Sequence, residues 1–462
     1  MGKSWATFGI DLHLDRRGPG LRRGLGDALR EAVRSGRLAP GTRLPSSRAL
    51  AADLGVARNT VAEVYADLVA EGWLAARQGS GTRVADRTPA TPDHRPAPHL
   101  REPGRPAYDL VPGTPELASF PRARWLRAAR RALTAAPDLA LGYGDPRGRV
   151  ELRTALAGYL SRARGVHAHP DRIVVCAGFL GGLGMLAELL RRRGECSVAV
   201  ESYGLPHHRQ LIRRTGCATP PLPFDDRGTL PLDGPAAARA VLLAPSHQFP
   251  MGLSLLPERR TALIDWARRT GGLILEDDYD GELRYDRQPV GALQGLDPDR
   301  VVYLGTASKS LAPGLRLGWL VLPPALVEEA MACMAGRTPG VLDQLTLAEF
   351  LSSGDYDRHV RAARLRYRRR RDALVAALAE RAPDVRVTGI AAGLHAVLRL
   401  PPGTEQQVVR AAAWHGLAVP GLSTFRHPEA AVAPLDALVV GYGTPPDHAW
   451  AGALDALCRS LP

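Results

Sequence analysis

Apolar residues along the first 85 positions recur at helical spacing, interrupted by glycine and proline stops. Leu21, Leu25, Ala28, Leu29, Ala32 and Val33 form one stripe, and the SGRLAPG stretch ends it. Ser46 or Ser47 can cap a second helix that runs through Leu50 and Leu54 to Gly55. A third runs from Arg58 through Val61, Val64, Tyr65, Leu68 and Val69 to Gly72. The short LGVA turn between the last two has the spacing of a helix-turn-helix. It puts Arg58, Asn59 and Thr60 at the start of the helix that would meet base edges. GWLAARQGSGTRV then predicts a wing of two short strands around a Gly-Ser-Gly turn, with Arg77 and Arg83 on either side. Residues 86–107 hold six prolines in 22 positions and almost no large apolar side chain, which predicts an extended tether without packed secondary structure.

From residue 108 the pattern changes. Helices expected at 122–135, 148–163, 180–193 and 257–270 interleave with the apolar runs IVVCAG (173–178), SVAVES, AVLLAP, GLILED and VVYLG. Strands apolar on both faces and separated by helices predict an α/β fold with a parallel or mixed sheet covered on both sides. Ligands in such sheets gather at the C-terminal ends of strands, where Gly178, Asp277 and Thr306 fall. The chain from about 340 is helical and arginine-rich, and GLHAVLRLP, LAVPGLSTFR and ALVVGYG then read as strands of a smaller C-terminal lobe. The basic face of that helix either extends a nucleic-acid surface or is simply solvated.

Two stretches carry candidate chemistry. In GTASKSLAPGLRLGWLV (305–321), Lys309 follows a strand end, flanked by Thr306, Ser308 and Ser310, with Arg316 seven residues on. Such an amine can form a Schiff base with an aldehyde, while the hydroxyls and the guanidinium suit a phosphate. A solvated loop lysine is the alternative. In EDDYD (276–280), four carboxylates in five positions mark a site that needs negative charge. That charge serves either a protonated pyridine nitrogen or a divalent cation, and no GxxxxGK[ST] accompanies it. The glycine-rich CAGFLGGLGM (176–185) joins a strand to a helix, so the N–H groups of Phe179 and Leu180 suit a phosphate, or the glycines serve tight packing.

Charge adds a partner. The 462 residues carry 60 Lys+Arg against 47 Asp+Glu, a net +13, which favours anionic partners or reflects a GC-rich genome. Residues 1–85 hold 13 basic minus 8 acidic side chains, +5, enough to help hold phosphates. The five cysteines are scattered without a CxxC, which argues against a disulfide scaffold or zinc site. With no signal peptide and no apolar run of 18 residues, a soluble cytoplasmic chain without membrane partners is expected.

The segments LGYGDPRGRVELRTALAGYL, APSHQFPMG, LEDDYD and GTASKSLAPGLRLGWLVLP resemble the fold type I, aminotransferase-like domain of MocR/GabR regulators, a branch of the GntR transcription factors. The run from Gly36 to Val84 resembles a GntR winged helix. The resemblance implies a winged helix at 1–85, a linker at 86–107, and at 108–462 a large domain that binds pyridoxal 5'-phosphate, with a small C-terminal lobe from about 340. It implies that Lys309 carries the cofactor, Asp277 pairs with its pyridine nitrogen and Tyr279 contacts its 3' oxygen. Arg316 and Thr306, with Ser308, Gly178, Phe179 and Leu180, would hold the phosphate. His247 and Gln248 would lie near the ring, and Tyr143 would reach the phosphate of the other subunit of a homodimer.

On double-stranded operator DNA it implies contacts from Arg48, Arg58, Asn59 and Arg77, phosphate contacts from Ser46 and Thr60, and a wing tip at Gly79–Gly81 in or near the minor groove. A further basic position on the third helix falls at Ala62. This chain departs from its relatives where an arginine near Val439 and Val440 would clamp an α-carboxylate, and where Leu205 and His207 replace a tyrosine and an arginine. Arg209 or Arg426 either takes over that clamp or makes an ordinary salt bridge. The function implied is transcriptional regulation in response to a small molecule, an amine, an amino acid or pyridoxal phosphate itself. The alternative is a working aminotransferase with a DNA-binding appendage.

Overall fold

Three helices and a hairpin form where the apolar spacing predicts them: α1 (Leu21–Arg34), α2 (Ser47–Leu54), α3 (Arg58–Ala70), β1 (Leu74–Arg77) and β2 (Gly81–Val84). The computed structural model describes residues 21–77, 81–86, 106–232, 238–285, 290–334 and 338–462. It divides the chain into two compact units, Met1–Arg105 and Pro106–Pro462. Most of the proline-rich tether, 87–105, and the wing residues Gly79 and Ser80 lie outside the described residues.

In the first unit, Leu25, Leu29, Leu50, Val61, Tyr65 and Trp73 close one core. Ser46 caps α2 by accepting from the amide of Ala49 at 3.1 Å, a contact of the kind that stabilises a helix by about 1 kcal/mol. Gly55 ends that helix in the left-handed region, at φ 68°. Ion pairs from Arg22 to Glu63 and Asp67, and from Arg30 to Glu71, tie α1 to α3 and the turn after it.

The second unit opens with β3 (Tyr108–Asp109), α4 (Arg122–Ala135), α5 (Val150–Arg164), β4 (Ile173–Ala177), α6 (Gly178–Arg192), β5 (Val198–Val200) and α7 (Pro206–Arg214). The hairpin of β6 (Phe224–Asp225) and β7 (Gly228–Thr229) precedes β8 (Ala240–Leu243), α8 (Pro257–Thr270), β9 (Leu273–Asp277), β10 (Val301–Thr306), β11 (Leu317–Val321) and α9 (Val327–Ala332). Then come α10 (Val341–Ser352), α11 (Asp355–Arg381), β12 (Arg386–Thr388), β13 (Ala396–Arg399), α12 (Glu405–Trp414), β14 (Leu417–Ala418), β15 (Ala437–Val440) and α13 (Asp447–Ser460).

Six strands form one mixed sheet in the order β4-β11-β10-β9-β8-β5, in which only β11 is antiparallel to its neighbours. Alternation puts Val174, Cys176, Leu275, Leu304 and Leu320 into a core with α6. Ile173, Val175, Tyr303, Trp319 and Val321 face the opposite way, against α5 and α10. The C-terminal ends of β4, β5, β8, β9 and β10 therefore share one edge. The reversed β11 begins at that edge, with Leu317 opposite Ala177 and Gly318 opposite Thr306.

The smaller lobe does not begin near 340. Leu347, Ala348 and Phe350 of α10 pack with Ala128, Leu152 and Leu156 of the large lobe, so α10 belongs there. The small lobe is built on the β12-β13-β15 sheet, and Tyr108–Asp109 joins it by pairing in parallel with Leu417–Ala418. Among the described residues, no helix is long and apolar enough to cross a membrane.

Candidate functional site

A cavity of about 360 Å³ opens at the edge of the sheet where these strands end. Each strand that ends there contributes a side chain or the first residues of the following loop. β5 gives Glu201, β8 gives Ala244, β9 gives Asp277, and β10 gives Thr306 and then Ser308 and Lys309. Thr306 shapes the loop, because its hydroxyl donates to the carbonyl of Leu317 at 3.2 Å and accepts from the amide of Ser308 at 3.2 Å. Lys309 leaves this turn with its amine in the cavity, donating to the carbonyl of Gly113. Burial lowers the pKa of the amine, opposed by the charges of Asp277 and Asp280, which favours the neutral, nucleophilic form.

Asp277 is held differently. Its Oδ1 is buried and has no hydrogen-bond partner. Burial pushes its pKa well up, against the pull of Lys309 and helped by the charges of Asp278, Asp280 and Glu201. The remaining carboxylates of the acidic run do not converge on it. Asp278 receives Arg164 at 2.7 and 2.9 Å and the Tyr303 hydroxyl at 2.8 Å. Glu276 accepts the amides of Leu293 and Gln294 at 2.7 and 2.8 Å.

At the other rim, α6 starts directly on Gly178, two residues earlier than the apolar spacing suggests, and Gly178 turns the chain at φ 73°. Phe179 and Leu180 line the cavity from the first turn of that helix, whose N–H groups have no intrahelical acceptor. Arg316 lines the same rim at φ 53°, steadied by a 2.9 Å bond from its guanidinium to the carbonyl of Ala177. Gly318 permits this approach, since a Cβ there would lie 2.7 Å from the carbonyl carbon of Gly178.

The expected residues are only partly brought together. Lys309, Asp277, Tyr279, Thr306, Ser308, Arg316, Phe179 and Leu180 line the cavity, with Gly178 packed under Arg316. His247 is not among the lining residues. It is buried behind Tyr279, its Nδ1 3.1 Å from the phenol oxygen, and the imidazoles at the cavity wall are those of His207, His208 and His395. Tyr143 is fully exposed and apart from the cavity of its own chain. Glu201, His208 and His395 were missed. Glu201 ends an apolar strand in the same way as Asp277, and that signal would have found it. Burial raises its pKa to about 8, and the Thr229 hydroxyl bonds it at 2.8 Å.

Of the two substitute arginines, Arg209 lines the cavity and Arg426 does not. Arg209 donates to the carbonyls of Gly204, Phe425 and Arg426, and Arg426 to those of Ala430 and Val432. Val439 is fully buried with Tyr203, Met251, Val397 and Phe425.

In the first unit, Arg48, Arg58 and Asn59 are exposed and Thr60 is half-buried at the start of α3. That helix has no side-chain cap, and the Thr60 amide in its first turn donates to the carbonyl of Ala57 at 3.1 Å. Arg43, not anticipated, lies with its guanidinium beside Gly81 of the wing. The side chain of Arg77 lies outside the described residues.

Residues 21–84 match the family model of the bacterial regulatory proteins of the gntR family, and residues 113–431 that of aminotransferase class I and II. The chain is 34% identical to the uncharacterized HTH-type transcriptional regulator YhdI of Bacillus subtilis, over 90% of each chain. It is 35% identical to the HTH-type pyridoxine biosynthesis transcriptional regulator PdxR of Corynebacterium glutamicum, over 87% of this chain and 88% of that one. It is 34% identical to the probable rhizopine catabolism regulatory protein MocR of Rhizobium meliloti, over 86% and 85%. The chain belongs to the MocR-type regulators of the gntR family. An archaeal alanine:glyoxylate aminotransferase superposes with a TM-score of 0.68 at 23% identity, over 78% of this chain and 92% of that one. That likeness shows the fold of the second unit alone: a MocR-type regulator carries a gntR-family helix-turn-helix ahead of a fold type I aminotransferase domain.

Proposed function

We propose that this MocR-type regulator binds pyridoxal 5'-phosphate covalently at Lys309, and that occupancy of the cavity changes the affinity of its winged helix for operator DNA. The observation that carries this reading is the pairing, on one cavity, of a desolvated amine at Lys309 with an unpartnered carboxylate oxygen at Asp277. A buried acceptor without a donor is costly, and a protonated ring nitrogen is the donor it fits. The helix start at Gly178, the Arg316 guanidinium and the hydroxyls of Thr306 and Ser308 suit a phosphate at the opposite rim. When bound, the cofactor supplies an aldehyde to the amine and an electron-withdrawing ring.

The chain's own groups then orient and shield that ligand. Asp277 holds the proton at the ring nitrogen, Tyr279 donates to the ring oxygen, and Phe249 and Leu205 line an apolar part of the wall. The effector is pyridoxal phosphate itself. An amino acid would need a bidentate partner for its carboxylate; Arg209, although on the cavity wall, already donates to three backbone carbonyls, Arg426 donates to two, and Val439 is apolar. The 35% identity to a regulator whose name carries pyridoxine biosynthesis supports the same choice.

The regulator acts as a homodimer that reads two half-sites. Support comes from the exposed Leu139, Leu141 and Tyr143, a patch that a second copy would cover while Tyr143 completes the partner's phosphate end. Arg48 and Arg58, with Asn59 and Thr60, contact the DNA.

Operator binding measured by fluorescence anisotropy at fixed salt should change at least about fivefold when pyridoxal phosphate is added, the lower end of ordinary allosteric coupling. Added amino acids should leave the loaded protein's isotherm unchanged. Lys309→Ala should lose both the near-visible absorbance of the bound cofactor and the response. Identical isotherms with and without cofactor would overturn the reading.

A further inference from the structure

Behind the cavity, three buried side chains form a chain of hydrogen bonds. His247 Nδ1 lies 2.7 Å from Asp280 Oδ2 and 3.1 Å from the Tyr279 hydroxyl. All three residues are at most 9% exposed, and of the three only Tyr279 lines the cavity. An ionised carboxylate can only accept, so Asp280 fixes the imidazole proton on Nδ1. The far nitrogen, Nε2, is buried without a partner. The single Nδ1 proton points to Asp280 at 2.7 Å, with the Tyr279 oxygen its longer second acceptor at 3.1 Å, so the phenol keeps its own proton to donate, and within the chain Asp280 is the acceptor for it.

We propose that Asp280 and His247 are positioning residues that keep the Tyr279 hydroxyl a donor toward a ring oxygen of the ligand in the cavity. The proposal rests on the reading of that ligand as pyridoxal phosphate. His395 approaches the same groups, with its ligating nitrogen and theirs within 4.8 Å of one another, an arrangement that in principle suits a metal ion. Packing argues for hydrogen bonds instead. His395 Nε2 is 3.0 Å from the carbonyl of Pro250, and a Cβ at Gly393 would lie 2.4 Å from both Asp280 Oδ2 and His247 Cε1. The titratable groups that face the unit are Asp277, Glu201, Lys309, His395, Tyr285 and Tyr442.

The full-length protein is loaded with pyridoxal phosphate, and its near-visible absorbance is titrated with pH for wild type, His247→Leu, His247→Asn, Tyr279→Phe and the His247→Leu/Tyr279→Phe double variant. A donor to the ring oxygen stabilises its anionic form, so weakening that donor moves the absorbance midpoint to higher pH. His247→Leu should raise the midpoint by about half a pH unit or more, in the direction of Tyr279→Phe. The double variant should match Tyr279→Phe alone, because His247 acts through the phenol. His247→Asn, which returns an amide N–H near the Nδ1 position, should restore the wild-type midpoint. If His247→Leu loses the wild-type circular dichroism spectrum, Asp280→Asn replaces it with the same expectation. A wild-type band whose midpoint neither variant moves, or additive shifts in the double variant, would refute the positioning role alone. A wild type with no band would overturn the cofactor reading and the positioning role with it.

Discussion

Arg48 and Arg58 in the gntR unit make no hydrogen bond or ion pair among the described residues, whereas most buried arginines of the aminotransferase unit are tied to groups of their own chain. Arg164 grips Asp278 with two nitrogens, Arg259 holds Asp225 and the carbonyls of Gly228 and Thr229, and Arg370 holds the carbonyls of Tyr442 and Pro445 together with Asp447. Even in the run RLRYRRRR (364–371) of α11, Arg364 bonds the carbonyl of Glu282 and Arg366 pairs with Glu116. A guanidinium has five donors, and its role follows from where they go. The net charge of +13 is thus a poor guide to the DNA surface, because part of the positive charge sits on guanidiniums bound to groups of their own chain.

Breaking the interior arginines should have the largest effect. Arg370→Met leaves two buried carbonyls without their donor and Glu116 with Arg366 as its remaining arginine partner, so the urea midpoint should fall by the equivalent of about 3–5 kcal/mol at unchanged slope. Next comes the free arginine at the start of α3. Arg58→Ala should weaken operator binding by about 1–3 kcal/mol in an anisotropy titration while leaving that urea midpoint unchanged.

A smaller effect probes a buried acid that no arginine pairs with among the described residues. The carboxyl of Glu201 is raised to about 8, so between its unfolded value near 4 and pH 8 the folded, ligand-free chain holds a proton that the unfolded chain has lost. This group's contribution to stability therefore falls as pH rises across that window. Glu201→Gln should leave the melting temperature unchanged at pH 4 and raise it by about 2 °C at pH 8. The smallest effect is expected on the exposed face of α11, where Arg369→Ala should alter operator affinity by less than about twofold. A larger loss would move part of the DNA surface into the second unit.

The same contrast explains what could be read in advance. Helix α8 runs from Pro257 to a left-handed Gly271, as its proline start and glycine stop predict, and α4 matches its expected span. Lys309 and Asp277 were legible because both follow apolar strands, and strands in one covered sheet end at a shared edge. Lobe membership was not. The apolar positions of α10 fit a contact with either lobe, and the two-residue strand at Tyr108–Asp109 has no period to detect. Nor did the sequence reveal that Arg209 and Arg426 bond backbone carbonyls, or that His395 reaches the cavity wall and His247 stays behind it, because each depends on loops distant along the chain.

The reversed strand β11 has a mechanical implication. Between Thr306 and Leu317 only ten residues bridge two adjacent, oppositely directed strands, and that short loop carries both the amine of Lys309 and the guanidinium of Arg316. In the proposed reading these two groups are jaws of one clasp, anchored at both ends, and neither can shift without pulling on the other. Adding or deleting a single residue in the clasp would change its gauge, even if every side chain in it were kept.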